Sequence, residues 1–257
     1  MIYTDGLLKK IALLTTALFC VGVVSACAAP QNVSDKYDRV DIDSDSLEAL
    51  NCGIFKFNRT VDGVFLEPIA RGYAEIMPER GRAMVSNFVD NIGEPVTFAN
   101  SLLQLDGENS FCTLWRFMLN STIGVAGLFD VASEIGLKNR DTGFGDTFAV
   151  YGADAGPYLI LPILGPSNIR DGLGRIGDVL VDPISYTNNP VFYSIVGVKT
   201  LDLRYRNLKL LDDIYKTSLD PYATIRSGYM QHREAEVKKA RAAHKKSLNT
   251  AKEQGTR

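Results

Sequence analysis

From Leu47 to about Asp178 the apolar residues recur every three or four positions in short runs punctuated by Gly and Pro, and no stretch sustains the alternation of a half-buried strand. The pattern predicts an all-α protein, a single domain of many short amphipathic helices over residues 47–231. The first helix is the clearest case. Leu50, Ile54, Phe57, Val61 and Val64 step by three and four along one apolar seam, while Asn51, Phe55, Asn58 and Asp62 form a second, largely polar stripe. Such a stripe either faces water or lines an internal passage, and spacing alone favours neither. Further helices are expected over 66–76, 82–91, 96–105, 111–121, 128–135 and 201–215. Gly93-Glu94-Pro95 reads as a helix stop and restart, since Gly accepts left-handed dihedrals and Pro is tolerated in a first turn. Asp220-Pro221 opens a last helix with Tyr222, Ile225 and Tyr229 on one face.

Three segments need separate treatment. Gly156 to Pro166 is apolar throughout, yet its length and prolines forbid a spanning helix, which leaves a core loop or a segment dipping into one lipid leaflet. Gly172, Gly174 and Gly177 satisfy G-x-G-x-x-G, but Pro162 and Pro166 interrupt the approach and Ser194 to Lys199 holds no carboxylate, so a dinucleotide site is not expected. Ile169, Leu173, Ile176 and Leu180 instead predict a helix whose glycines, each costing ~1 kcal/mol against alanine, imply close packing to backbone or ligand. Arg116, inside the apolar run Phe111 to Leu119, needs a carboxylate or carbonyl partner if buried, and structural pairing is its expected role.

The amino terminus is a targeting segment. Lys9 and Lys10 precede an uncharged apolar run, Ile11 to Val24, that ends in small residues, so residues 1–26 read as a signal peptide too short to remain as a membrane span. Val24-Ser25-Ala26-Cys27 is similar to the bacterial lipobox, which makes Cys27 the expected lipidation site, diacylated on its thiol and acylated on its new amino group. Residues 27–46 lack apolar periodicity and read as a flexible tether. At the other end the apolar stripe fades, and residues 232–257 form a basic polar tail. A solvated helix or a contact with anionic lipid or an acidic partner would suit it.

Composition narrows the chemistry. The 28 Lys+Arg against 30 Asp+Glu give a net charge of −2, so no basic field exists for nucleic acid. Both histidines, His232 and His244, lie in the tail, and the body has no G-x-S-x-G elbow, which disfavours hydrolase chemistry and a His-based metal site. No cofactor, metal or catalytic residue is expected. Cys52 and Cys112 fit no zinc spacing and are expected as two buried thiols rather than a disulfide.

One resemblance covers roughly residues 45–235. Asp45-Ser-Leu-Glu-Ala-Leu-Asn51 with Ile54-Phe-Lys-Phe-Asn58, Ser86-Asn-Phe88 with Gly93-Glu-Pro95, Arg116-Phe117 with Asn120-Ser-Thr-Ile-Gly124, and Gly127-Leu-Phe-Asp130 occur in order. Phe144-Gly145, Gly156-Pro-Tyr158, Leu161-Pro162, Gly165-Pro166, Arg170-Asp171 and Asp220-Pro-Tyr222 with Arg226, Tyr229 and Gln231 follow. This series resembles the MlaA/VacJ family of outer-membrane lipoproteins. Ser46 stands where that family has proline, and Cys52 where it has arginine. The resemblance implies a ring of helices embedded in the periplasmic leaflet of the outer membrane beside a trimeric porin. Misplaced phospholipid would pass through the ring to a periplasmic lipid carrier protein. It implies lipid-passage candidates at Phe55, Phe57, Asn58, Asn120, Tyr158, Leu159 and Leu161, with aromatics setting the width and the Asn58 amide available to a phosphate or ester oxygen. The competing readings are a structural lipoprotein that braces porins and a membrane-anchored lipid hydrolase.

Overall fold

The computed structural model describes residues 47–255; the signal peptide, Cys27 and the tether lie outside the described residues. Helix α1 (Glu48–Val61) runs through a π turn (Asp62–Leu66) into α2 (Glu67–Ile76). There follow α3 (Glu79–Leu103), α4 (Gly107–Thr122), the single turn α5 (Val131–Glu134) and α6 (Phe144–Val150). A hairpin of β1 (Tyr158–Leu161) and β2 (Gly165–Asn168) leads into α7 (Ile169–Val181), then α8 (Asn189–Arg206), α9 (Leu208–Thr217) and α10 (Pro221–Gly255).

The helical class holds, but several boundaries differ from the sequence pattern. The helices expected over 82–91 and 96–105 are one, because α3 runs straight through Pro95. Proline removes a backbone donor and crowds the carbonyl four residues back. Interhelical bonds hold the segment regardless: Glu94 takes the Arg116 Nε–H at 2.8 Å and Asn91 donates to Ser121 Oγ at 3.0 Å. The helix expected over 128–135 shrinks to α5, since the chain turns through left-handed Val125, Ala126 and Gly127. Helix 201–215 divides at Asn207 into α8 and α9. The apolar stretch 156–166 contributes an antiparallel hairpin, with Tyr158 paired to Asn168 and Leu161 to Gly165. Its two strands escaped the alternation test because β1 is apolar at every position and β2 is glycine, proline and two polar residues.

The polarity of the fold is inverted. On α3 the buried positions are Asn91, Glu94, Thr97, Asn100 and Ser101; on α4 they are Asn109, Ser110, Thr113, Arg116 and Asn120. Their neighbours Leu102, Phe111, Leu114, Trp115 and Met118 are exposed. The expected apolar seam of α1 faces out at Leu50, Phe57 and Val64, and so does the stripe Ile169, Leu173, Ile176 and Leu180 of α7. An interior of polar side chains persists when nearly all of it is hydrogen-bonded. Arg116 ties α3 to α4 and α5 through Glu94, Asp130 at 3.3 Å, Ser133 and the Leu137 carbonyl. Asn100 donates to Asp178 and accepts from Thr147, joining α3, α7 and α6. The small apolar core, Tyr158, Ile160 and Tyr222 with Ile54, Phe55 and Tyr229 against it, sits under the hairpin.

Two glycines of the G-x-G-x-x-G match serve packing. A Cβ on Gly174 would lie 2.7 Å from the Gly145 Cα, and one on Gly177 within 3.0 Å of the Phe144 ring, so α7 and α6 touch through backbone. The basic tail continues α10 without a break. Arg241 donates to the Ala149 carbonyl at 2.9 Å, His244 Nδ1 lies 2.6 Å from the Gln104 carbonyl, and Val237 is buried, so this helix lies against the body. Cys52 and Cys112 are half-buried rather than buried, and they are not joined to one another.

Candidate functional site

Two asparagines place the hairpin. Asn51 and Asn58 are seven residues apart on α1, and seven helical residues rise about 10.5 Å, close to the ~10 Å of three strand steps. Asn51 therefore meets the start of β1 and Asn58 its end. Asn51 Nδ2 donates to the Tyr158 carbonyl at 3.0 Å and Oδ1 accepts from Ile160 N at 2.9 Å. Asn58 Nδ2 donates to the Leu161 carbonyl at 2.9 Å and Oδ1 accepts from Ile163 N at 2.8 Å. Ile163, the hairpin's turn residue, has φ +66°, a conformation costing a β-branched residue about 1–3 kcal/mol, and the Asn58 bond helps to hold it.

Beside this clamp, α1, the hairpin, α8 and α9 enclose an open cavity of about 350 Å³. Its walls are apolar at Phe55, Ile160, Ile163 and Leu203, with Arg59 and Arg204 among the polar lining residues. Phe55 meets the Tyr222 ring edge-on at 5.7 Å. Arg204 forms a fork with Asp62, the first residue of the π turn, Nε at 2.5 Å and Nη2 at 3.0 Å. A second cavity of about 310 Å³ lies beyond the hairpin, lined by Tyr158, Asn168, Arg170, Tyr229 and Arg233. Asp171 organises this side. It accepts from Arg233 at 2.8 and 3.0 Å, from Tyr229 Oη at 2.8 Å and from Asn168 at 2.7 Å. Burial opposes its charge, but these donors hold its pKa down to about 2, and Arg233 also reaches Asp146 at 2.9 Å.

The structure brings together some of the sequence candidates. Phe55 and Asn58 line the first cavity. Tyr158 is buried between Tyr222 and Tyr229, with Leu159 and Leu161 half-buried on the same strand. The Asn58 amide is engaged at both ends by the hairpin, so its structural partner is backbone. Phe57 is 44% exposed on the outer face, away from both cavities. Asn120 is distant in role: it donates to Asp130 at 3.1 Å and accepts from Ala132 N at 2.9 Å, locking α4 to α5. From sequence Arg59, Arg204 and Arg233 go unnamed, and Asp171 appears only in the Arg170-Asp171 run, without a role. In the structure Asn168 caps α7 by accepting from Asp171 N, and nothing local links Asp62 to Arg204.

A helical protein with a largely hydrogen-bonded polar interior, apolar side chains outward and an amphipathic cavity under a clamped hairpin is of the class that works at a membrane. The comparisons agree. The family model described as MlaA lipoprotein matches residues 43–236, and the chain belongs to that family. It is 31% identical to the intermembrane phospholipid transport system lipoprotein MlaA of Haemophilus influenzae, covering 89% of this chain and 91% of the relative. Identity to the protein of that name from Escherichia coli strain K12 is 34%, covering 73% and 76%. A protein of Rickettsia bellii is 42% identical, covering 75% and 76%. A solved chain from work on the structural basis for maintenance of bacterial outer membrane lipid asymmetry superposes with a TM-score of 0.68 at 32% identity, covering 76% of this chain and all of that one.

Proposed function

We propose that this chain is an outer-membrane lipoprotein that removes mislocalised phospholipid from the outer leaflet and passes it to a periplasmic carrier, maintaining lipid asymmetry. The inverted polarity carries the reading. No helix among the described residues is long and apolar enough to cross a membrane, yet apolar side chains cover the outer faces of α1, α4 and α7. Such a surface is stable against acyl chains and costly against water, so the helices lie within one leaflet, in a ring tethered by acylated Cys27 and seated beside a porin trimer. The cavity beside the hairpin, with Asn58, Arg59 and Arg204 on its wall, then offers a headgroup a path that hydrocarbon denies it. Phe55, Asn58, Tyr158, Leu159 and Leu161 border that path around the clamped hairpin, Phe57 flanks it from the lipid side, and Asn120 braces it from the polar spine. The protein is a conduit and performs no bond cleavage.

Trp115, the chain's single tryptophan, is 41% exposed on α4 and tests the embedding. In vesicles whose acyl chains carry bromine, its fluorescence is quenched if the outer face meets hydrocarbon; unquenched emission would sink the leaflet placement. For transport, cells lacking the protein accumulate surface phospholipid while porin trimers assemble normally. Defective porin assembly without surface phospholipid would favour the bracing role instead.

A further inference from the structure

The first cavity carries more chemistry than a passive apolar wall. Arg204 borders it with a side chain only 6% exposed, yet Nε and Nη2 alone engage Asp62, and Nη1 is buried without a hydrogen-bond partner among the described residues. An unused donor on a buried guanidinium is uncommon, because leaving it unsatisfied costs stability that a well-packed fold avoids. Arg59 lies on the same cavity. Its guanidinium stacks 3.9 Å over the Tyr215 ring and reaches Asp62 at 3.4 Å and Glu67 at 3.1 Å through Nη1 alone, so its other nitrogens have no partner among the described residues. The carboxylates are not similarly spare. Asp62 gives both oxygens to Arg204, and Glu67 is shared between Arg59 and Arg71.

We propose that this cavity is a phosphate subsite, in which Arg204 and Arg59 donate to the phosphodiester of a lipid headgroup while Phe55, Ile163 and Leu203 receive its glycerol and the first methylenes. The proposal rests on the transport reading above and adds the chemical group recognised. Nη1 of Arg204 and the unengaged nitrogens of Arg59 suit phosphate oxygens, and the burial of Arg204 strengthens its bond. A volume of about 350 Å³ accommodates a headgroup but not two long acyl chains, which remain along the apolar exterior. The subsite therefore grips the polar end of a lipid whose tails never leave hydrocarbon.

The test uses the full-length protein in mild-detergent micelles, with dioleoylphosphatidylglycerol and dioleoylglycerol as probes that share their chains and differ in phosphate. Wild-type protein is expected to prefer the phospholipid by roughly tenfold or more. Arg204→Lys keeps a cation beside Asp62 but removes the forked nitrogens, and Arg59→Gln removes the second donor. Each should reduce the preference to within about threefold without changing dioleoylglycerol binding. Should Arg204→Lys fail to fold by circular dichroism, the half-exposed Arg59 carries the test alone. Full preference in the folded variants overturns the subsite, and so does displacement of the phospholipid by millimolar inorganic phosphate, which would mark a free-phosphate site. Equal wild-type binding of both probes overturns the subsite but leaves transport standing, whereas binding of neither refutes transport itself.

Discussion

Glu94 and Arg116 sit at the centre of the polar interior, with side chains 1% and 3% exposed and 2.8 Å between Oε1 and Nε. Burial is the largest influence on Glu94 and raises its pKa to about 7 from an ordinary 4.5, outweighing the pull of Arg116. Between those two values the folded protein holds a proton that the unfolded chain has released. Stability therefore falls as pH rises through this window, the reverse of the usual carboxylate. A tenfold step in proton affinity is worth about 1.4 kcal/mol, so the wild-type protein loses about 3 kcal/mol between pH 4.5 and 7 through this residue. For a domain of this size that corresponds to a drop in Tm of roughly 5–10 °C. Glu94→Gln retains an acceptor for Arg116, which keeps Asp130 as its charged partner, and removes the titration. Thermal unfolding of both proteins in micelles at pH 5, 6, 7 and 8 reads the difference. Asp178, also raised by burial, titrates in both proteins and cancels, while Asp171 at about 2 lies below the range. Parallel pH profiles for wild type and Glu94→Gln would refute the reasoning.

Other substitutions separate packing from passage. Gly174→Ala forces a methyl against the Gly145 backbone and, after the ~1 kcal/mol helix gain, should cost about 1–2 kcal/mol; Gly172→Ala, whose Cβ meets only Ser167 Oγ at 3.9 Å, should gain up to ~1 kcal/mol, and equal effects in denaturation would contradict the packing. Asn51→Ala removes both bonds to β1 and should cost about 1–3 kcal/mol, with hydrogen exchange at Ile160 accelerating more than at Thr113; uniform acceleration would mean that the clamp is not local. Phe57→Ala, on the outer face, should cost well under the ~3–5 kcal/mol of a core phenylalanine, so it yields folded protein in which surface phospholipid can be measured beside a wild-type copy; recessive loss of the protein would return Phe57 to a packing role.

Helix content was legible because spacing of three and four is a property of the helix, independent of what surrounds it. The breaks were less so. Gly93-Glu94-Pro95 has the local chemistry of a stop, and bonds to α4, from Arg116 to Glu94 22 residues away and from Asn91 to Ser121, hold α3 together there. The hairpin hid because β1 has no polar face, and α6 hid because its seven residues are too few to show a period. At the site, Asn51 and Asn58 could be placed on one stripe from sequence, but not their shared partner: the strand they clamp begins more than 100 residues later. Arg204 and Asp62, 142 residues apart, had no local signature at all.

What spacing withholds is direction. A helical period divides residues into two faces and says nothing about which one turns inward; that is decided by the solvent on each side. In water, Leu50, Phe57 and Val64 would form the buried seam and Asn51 and Asn58 the wet one. Here the assignment is reversed, and the reversal is consistent along the chain: Asn91, Glu94, Thr97 and Asn100 step by three through the interior of α3, while Phe111, Leu114, Trp115 and Met118 step by three and four along the outside of α4. A stripe of charged and amide residues at helical spacing with a partner stripe on the next helix satisfies most of its own hydrogen bonds, although Asn91 Oδ1, Glu94 Oε2 and Asn109 Oδ1 have no partner among the described residues. Arg116 opposite Glu94 and Asn109 opposite Ser101 are such matches, the latter at 2.7 Å. Complementary polar stripes on successive helices, one lying inside an otherwise apolar run, are therefore the sequence sign of an inverted fold, whose exterior the placement proposed above gives to lipid.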